Sequence, residues 1–210
     1  MTTIRICFVG DSLVLGTNDH DFQGWPGRVA HREVQAGHDV SVYNLGIRAD
    51  TSGMIAARWR AECEARLPDI HPGALVFSFG TNDMALENDK IRVPLDQSCA
   101  IARKMMSQAK SWKPVLWIGL PPVDDGRQPF HAGNVTYDFS SDRSSQLNDA
   151  YAELARELDI PYLDLFTILS SDTNWLNAFS GDDGVHPLHF GYAQMAERIT
   201  GWDAWRAWFD

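Results

Sequence analysis

Five apolar bursts of five to seven residues recur along the chain, at 4–9, 40–44, 74–79, 114–120 and 160–166. Each is followed, at a distance, by a stretch with helical spacing, at 25–35, 52–67, 98–112, 142–158 and from about 189 onward. Short, largely apolar runs of this kind are those of strands in a covered sheet. Parallel neighbours in such a sheet need a crossover of a dozen or more residues, and the helical stretches supply it. The chain is therefore expected to be α/β: a three-layer α/β/α sandwich around a flavodoxin-like, mainly parallel five-stranded sheet of order 2-1-3-4-5. Pro68 closes the second helix, and Pro121-Pro122 ends the fourth strand. Residues 122–141 are rich in Asp, Gly, Asn and Ser without periodicity and read as a long functional loop. A second irregular stretch runs from the fifth strand to Gly184. At 210 residues, 44% of them hydrophobic, the chain is expected to form one domain over 1–210.

In a sheet of this kind ligands bind beyond the carboxyl ends of the strands, and three short motifs stand there. Gly10-Asp11-Ser12-Leu13 follows the first strand, Asn44-Leu45-Gly46 the second, and Gly80-Thr81-Asn82-Asp83 the third. A fourth, Asp183-Gly184-Val185-His186-Pro187, precedes the last helix. Ser12 sits where the chain must turn sharply, as an exposed nucleophile does, although Asp11-Ser12 alone would also serve as a turn cap. A serine hydroxyl is inert without a base, and an imidazole needs a partner to fix its tautomer. His186 is the candidate base. Asp183, three residues before it, is close enough in a tight turn to accept from Nδ1; Asp182 reads as a solvated turn carboxylate. Attack on a carbonyl develops charge on its oxygen, which calls for donors aimed at that point. Asn82 offers a side-chain NH2, Gly46 a backbone N–H without an obstructing Cβ, and Ser12 its own N–H.

Taken together these motifs resemble those of the GDSL esterases and lipases of the SGNH hydrolase superfamily, whose four named residues match Ser12, Gly46, Asn82 and His186. The resemblance runs from residue 4 to about 200. It implies an α/β/α sandwich, a Ser12-His186-Asp183 triad, a three-donor oxyanion hole of Ser12, Gly46 and Asn82, and no metal or other cofactor. The expected activity is hydrolysis of a carboxylic ester or thioester through an acyl-enzyme, with a small-molecule acyl ester as substrate. An acyltransferase or a carbohydrate O-deacetylase would use the same site. A flavodoxin-like binding module is the alternative outside enzymes, but residues 11–17 have too few glycines and hydroxyls for a phosphate loop. Residues 84–97, 122–141 and 167–182, which would set substrate choice, match no pattern.

Composition narrows the partners. With 18 basic and 28 acidic residues the net charge is -10, which disfavours nucleic acid. The chain has no apolar run of 18 residues and no signal-like start, so a cytoplasmic protein without an integral membrane segment is expected. Cys7, Cys63 and Cys99 lack a C-x-x-C pairing and read as buried free thiols. His186 and His189 have a metal-like spacing without the further ligands that zinc needs. Asp124-Asp125-Gly126 and Asn88-Asp89 lack the ligand ladder of a calcium loop and read as polar loop tips. Trp202, Trp205 and Trp208 read first as a stripe packed on the sheet, and otherwise as an exposed ridge through which a homo-oligomer could form. Phe130, His131, Tyr137 and Phe139 suit an acyl pocket as well as they suit anchors for the long loop.

Overall fold

Residue burial alternates along the first strand, with Ile4, Ile6 and Phe8 on one face and Cys7 and Val9 on the other, so both faces of the sheet are covered. The computed structural model describes residues 1–179 and 183–209; Asp182 lies outside them. In chain order the elements are β1 (Thr3–Gly10), α1 (Ser12–Leu15), α2 (Gly24–Gln35), β2 (Asp39–Gly46), α3 (Ser52–Glu64), β3 (Gly73–Ser78), β4 (Leu86–Glu87) and β5 (Lys90–Ile91). There follow α4 (Leu95–Lys110), β6 (Val115–Ile118), β7 (Phe130–Ala132), β8 (Val135–Asp138), α5 (Ser141–Glu157), β9 (Tyr162–Leu163), α6 (Leu165–Ser170), α7 (His189–Thr200) and α8 (Asp203–Arg206).

The main sheet has the order β2-β1-β3-β6-β9, all neighbours parallel. Counting only its own strands, this is the expected 2-1-3-4-5. On one face α3, α4 and α5 cover a core built on Trp59, Phe77, Trp117 and Tyr151. On the other, α2, α6 and α7 cover a second core that includes Trp25, Phe8, Tyr192 and Trp205. Burial of this many large apolar side chains, each contributing about 1.5–3 kcal/mol, is what fixes the three layers.

Two expectations need correction. Residues 122–141 are not irregular: β7 and β8 form an antiparallel hairpin, and β8 also pairs with β4, giving a second sheet of order β5-β4-β8-β7. The fifth strand is shorter than the burst at 160–166, because Asp164 caps a helix. Its Oδ1 accepts from Thr167 N–H (2.9 Å) and its Oδ2 from Thr167 Oγ1 (2.7 Å), so the chain turns into α6 after Leu163. The tryptophans follow the first of their two readings, packing on the core rather than standing out as a ridge. Trp205 is fully buried and its Nε1 donates to the buried Glu33 Oε1 (2.8 Å), while Trp202 and Trp208 are half-buried against the same core. Asp124 caps a 3-10 turn at Asp125–Arg127 as a loop tip would. All three cysteines are free thiols, with Cys7 and Cys63 buried and Cys99 half-buried. Among the described residues no helix is long and apolar enough to cross a membrane.

The carboxyl ends of β1 and β2 are stapled by one side chain. Arg58, on α3, donates to Gly10 O (2.9 Å) and Leu45 O (2.9 Å) and pairs with Asp50 (2.7 Å). Asn44 adds a second tie, its Nδ2 donating to Val14 O at 2.8 Å. Two of the four motifs are thereby fixed at one end of the sheet.

Candidate active site

The one-turn helix α1 begins directly at the end of β1. Asp11 is its N-cap, accepting from Leu13 N–H at 2.9 Å, so the capping role available to Asp11-Ser12 falls to the aspartate and leaves the serine free. Ser12 Oγ lies 2.7 Å from His186 Nε2, across 174 residues of sequence. His186 Nδ1 is 2.6 Å from Asp183 Oδ2. Facing a carboxylate, Nδ1 carries the proton, so Nε2 is the acceptor for the serine hydroxyl. The loop that holds the pair is tight: Asp183 Oδ1 accepts from Val185 N–H (2.9 Å) and His186 N–H (3.0 Å). Gly184 has φ +65°, and a Cβ there would lie 2.8 Å from Asp124 O. Only glycine meets both conditions at once. Asp124 N–H donates to Gly184 O (2.8 Å) and Gln128 Nε2 to Asp183 O (2.6 Å), which clamps this loop onto residues 124–128.

Burial acts to raise the Asp183 carboxyl. It is outweighed by the hydrogen bond and charge of His186 and by the two backbone N–H groups, which hold the group at about 2. Asp183 is therefore ionised at neutral pH. Asp11 goes the other way: complete burial pushes it from 3.8 up to about 6, against the pull of the Leu13 N–H and His186. Its Oδ2 is buried without a hydrogen-bond partner among the described residues. Asp83 is also raised by burial, and is held by Ser52 N–H (2.7 Å) and Ser98 Oγ (2.7 Å), so it ties α3 and α4 to the Asn82 loop.

The raised Asp11 has a consequence for stability. The fold favours its protonated form, so this stabilisation is fully present below 3.8 and is lost as pH rises through about 6. Asp11→Asn keeps an oxygen for Leu13 N–H and has no charge to bury. Relative to wild type it should gain on the order of 3 kcal/mol between pH 3 and pH 8. Urea unfolding of both proteins across that range is the measurement; a difference independent of pH would contradict the assignment.

A cavity of about 180 Å³ opens beside Ser12 and His186. Its polar wall is Asn82, Arg48 and Ala49; its apolar wall is Phe130, Ala132, Tyr137 and Phe139 from the β7–β8 hairpin. Of the four side chains left between two roles, Phe130, Tyr137 and Phe139 fill both. They line the cavity, and with Val123 and Val185 they form a small core of their own. His131 is exposed and pairs with Thr136 Oγ1 (3.0 Å). A larger cleft of about 580 Å³, by Trp112, Pro161 and Trp208, contains no serine–histidine pair. Among the described residues no group of three His, Cys, Asp or Glu side chains is arranged to hold a metal.

Gly46 stands apart from the cavity lining. Its N–H donates to Asn44 Oδ1 at 3.0 Å. It must be glycine for a packing reason, since a Cβ would come within 2.2 Å of Leu15 N and 2.6 Å of Asp11 O. From the segment after β2 it is Ala49, in the left-handed region at φ +63°, that lines the cavity together with Arg48. The Ala49 carbonyl accepts from Arg92 at 2.9 Å, and among the described residues its N–H has no acceptor. Neither Ala49 nor Arg92 carries a signal in the sequence: alanine rarely adopts positive φ, and Arg92 is one arginine in a polar segment.

The sequence profile of a GDSL-like lipase/acylhydrolase family matches residues 8–194. Among solved structures, the lipase/acylhydrolase from Enterococcus faecalis is 24% identical, with 95% of this chain and 94% of that one covered and a TM-score of 0.76. TesA is 20% identical over 98% and 99% of the two chains, with a TM-score of 0.73. An acetyl-xylooligosaccharide esterase from Geobacillus is 18% identical over 97% of each, with a TM-score of 0.71. These structures share the fold. No curated protein matches the sequence.

Proposed function

Because this chain belongs to the GDSL-like lipase/acylhydrolase family, we propose that it hydrolyses a carboxylic ester through an acyl-serine intermediate on Ser12, with His186 as base and Asp183 as its orienting carboxylate. The observation that carries this reading is the continuous line from Asp183 Oδ2 through the imidazole to Ser12 Oγ, at 2.6 and 2.7 Å. His186 Nε2 takes the proton from Ser12 as Oγ bonds to the ester carbon. The oxyanion that forms is held by the Ser12 N–H, by the Asn82 side-chain amide and by the Ala49 N–H, which takes the place expected of Gly46. As the carbonyl reforms, the carbon–alkoxy bond breaks and His186 hands its proton to the departing alcohol. Water then repeats the sequence: His186 removes its proton, the acyl carbon passes to water, and the proton returns to Ser12. No cofactor enters any step.

The small aromatic cavity beside Ser12 suits a short acyl group, and the same wall would admit an acetyl ester of a larger alcohol. The test is a rapid-mix reaction with a p-nitrophenyl acetate substrate. A burst close to one nitrophenol per protein, followed by a slower steady rate, is expected when acyl-enzyme accumulates. The reading fails if no ester in an aryl series of graded acyl length is turned over.

A further inference from the structure

One side chain outside all four motifs touches the polar wall of the cavity from behind. Arg92 Nη1 donates to Asn82 Oδ1 (3.2 Å) and Nη2 donates to Ala49 O (2.9 Å). Its Nε pairs with Glu87 at 3.3 Å, its Cζ lies 5.9 Å from the centre of the Tyr137 ring, and the side chain is only 10% exposed. The backbone around it is tied to the same loop: Arg92 N–H donates to Ala85 O (3.0 Å) and Val93 N–H to Asp83 O (3.1 Å).

A guanidinium carries donors only, in a rigid planar fork. An amide that faces it must present oxygen, so Arg92 sets which way the Asn82 amide points and leaves Nδ2 facing away from it. With that partner gone the amide is held only by the Asp11 carboxylate, which favours the same orientation, and an amide that shifts or turns offers the developing oxyanion a misplaced donor or an oxygen in its place. The other arm of the fork holds the Ala49 carbonyl, and with it a left-handed turn that alanine adopts at a cost. We infer that Arg92 is a positioning residue of the oxyanion hole, fixing the Asn82 amide and the Ala49 turn together. The inference rests on the ester-hydrolase reading above and adds to it a residue that never touches substrate.

The experiment compares wild type, Arg92→Ala, Arg92→Lys, Asn82→Ala and the Asn82→Ala/Arg92→Ala double variant on an aryl acetate. Active serine is titrated in each with a fluorophosphonate, and rates are expressed per titrated site. Arg92→Ala is expected to lose about 10- to 100-fold in kcat, with KM changed by no more than about twofold. The pH profile of kcat should not move, because the acid–base pair is untouched. Added to Asn82→Ala, the same change should cost clearly less than it does in the wild-type background, because one of its two routes of action is already gone and only the Ala49 turn is left to lose. Arg92→Lys folds with the charge beside Tyr137 retained, but a single ammonium cannot fork to both oxygens; it should fall between wild type and Arg92→Ala, and it decides the matter if the alanine variant does not fold. A merely structural arginine would lower the number of titrated sites or the melting temperature and leave kcat per site unchanged; that result, or an equal loss in both backgrounds, overturns the inference. A wild-type protein that neither titrates nor turns over any ester would remove the hydrolase reading and this inference with it.

Discussion

Ser12→Ala should abolish nearly all ester hydrolysis, lowering kcat by about 10,000- to 1,000,000-fold and leaving the residue of rate that the oxyanion donors alone provide. The size follows from what is lost. Without Oγ there is no covalent intermediate, and His186 can act only on a water that nothing places. The fold should be indifferent: Ser12 Oγ bonds to His186 Nε2 and to no other described side chain, so the stability cost is about 1 kcal/mol or less. Kinetics on an aryl acetate together with a thermal melt give both numbers. A variant that keeps a tenth of wild-type activity would contradict the assignment of Ser12.

Asp183→Asn should be nearly as severe, about 10,000-fold in kcat, for a different reason. An amide NH2 facing Nδ1 favours the imidazole tautomer with its proton on Nε2, which can no longer accept from Ser12. The loop should survive, because the asparagine oxygen can still take the Val185 and His186 N–H groups that Asp183 Oδ1 accepts. The charge also has a stability signature. The folded carboxyl sits at about 2 against an ordinary 3.8, so its contribution is present above 3.8 and is lost as pH falls through about 2. At pH 7 this amounts to roughly 2 kcal/mol. The stability gap between wild type and Asp183→Asn should therefore close between pH 4 and pH 2, as followed by denaturant unfolding. A gap that stays constant over that interval would mean the carboxylate gains nothing from His186 in the fold.

The order of the main sheet was legible because its strands are short, largely apolar runs alternating with helices, the central ones buried on both faces. That Ser12, Asn82, Asp183 and His186 would meet was legible because the topology of a parallel sheet brings strand ends together. What sequence could not show has a common cause. β4, β5, β7 and β8 are two to four residues long, too short to establish an alternation. They form two short hairpins joined by pairing between segments about 50 residues apart, Leu86 with Asp138 and Glu87 with Tyr137. Gly46 attracted the oxyanion role because glycine signals close approach, and close approach there proved to be with the backbone of Leu15 and Asp11. The residue at the cavity is Ala49, whose left-handed conformation no alanine advertises. Arg92 was invisible for a related reason: what it does is defined by two acceptors, 10 and 43 residues away, that only the fold brings to it.

The central claim is that Ser12 is the atom acylated by substrate. Treating the protein with a fluorophosphonate, digesting it and sequencing the modified peptide by mass spectrometry tests this most directly. One adduct per chain on Ser12, lost in Ser12→Ala and strongly slowed in Asp183→Asn, is the predicted result. Stoichiometric labelling at another residue, with Ser12 unmodified and ester hydrolysis nonetheless abolished, would contradict it.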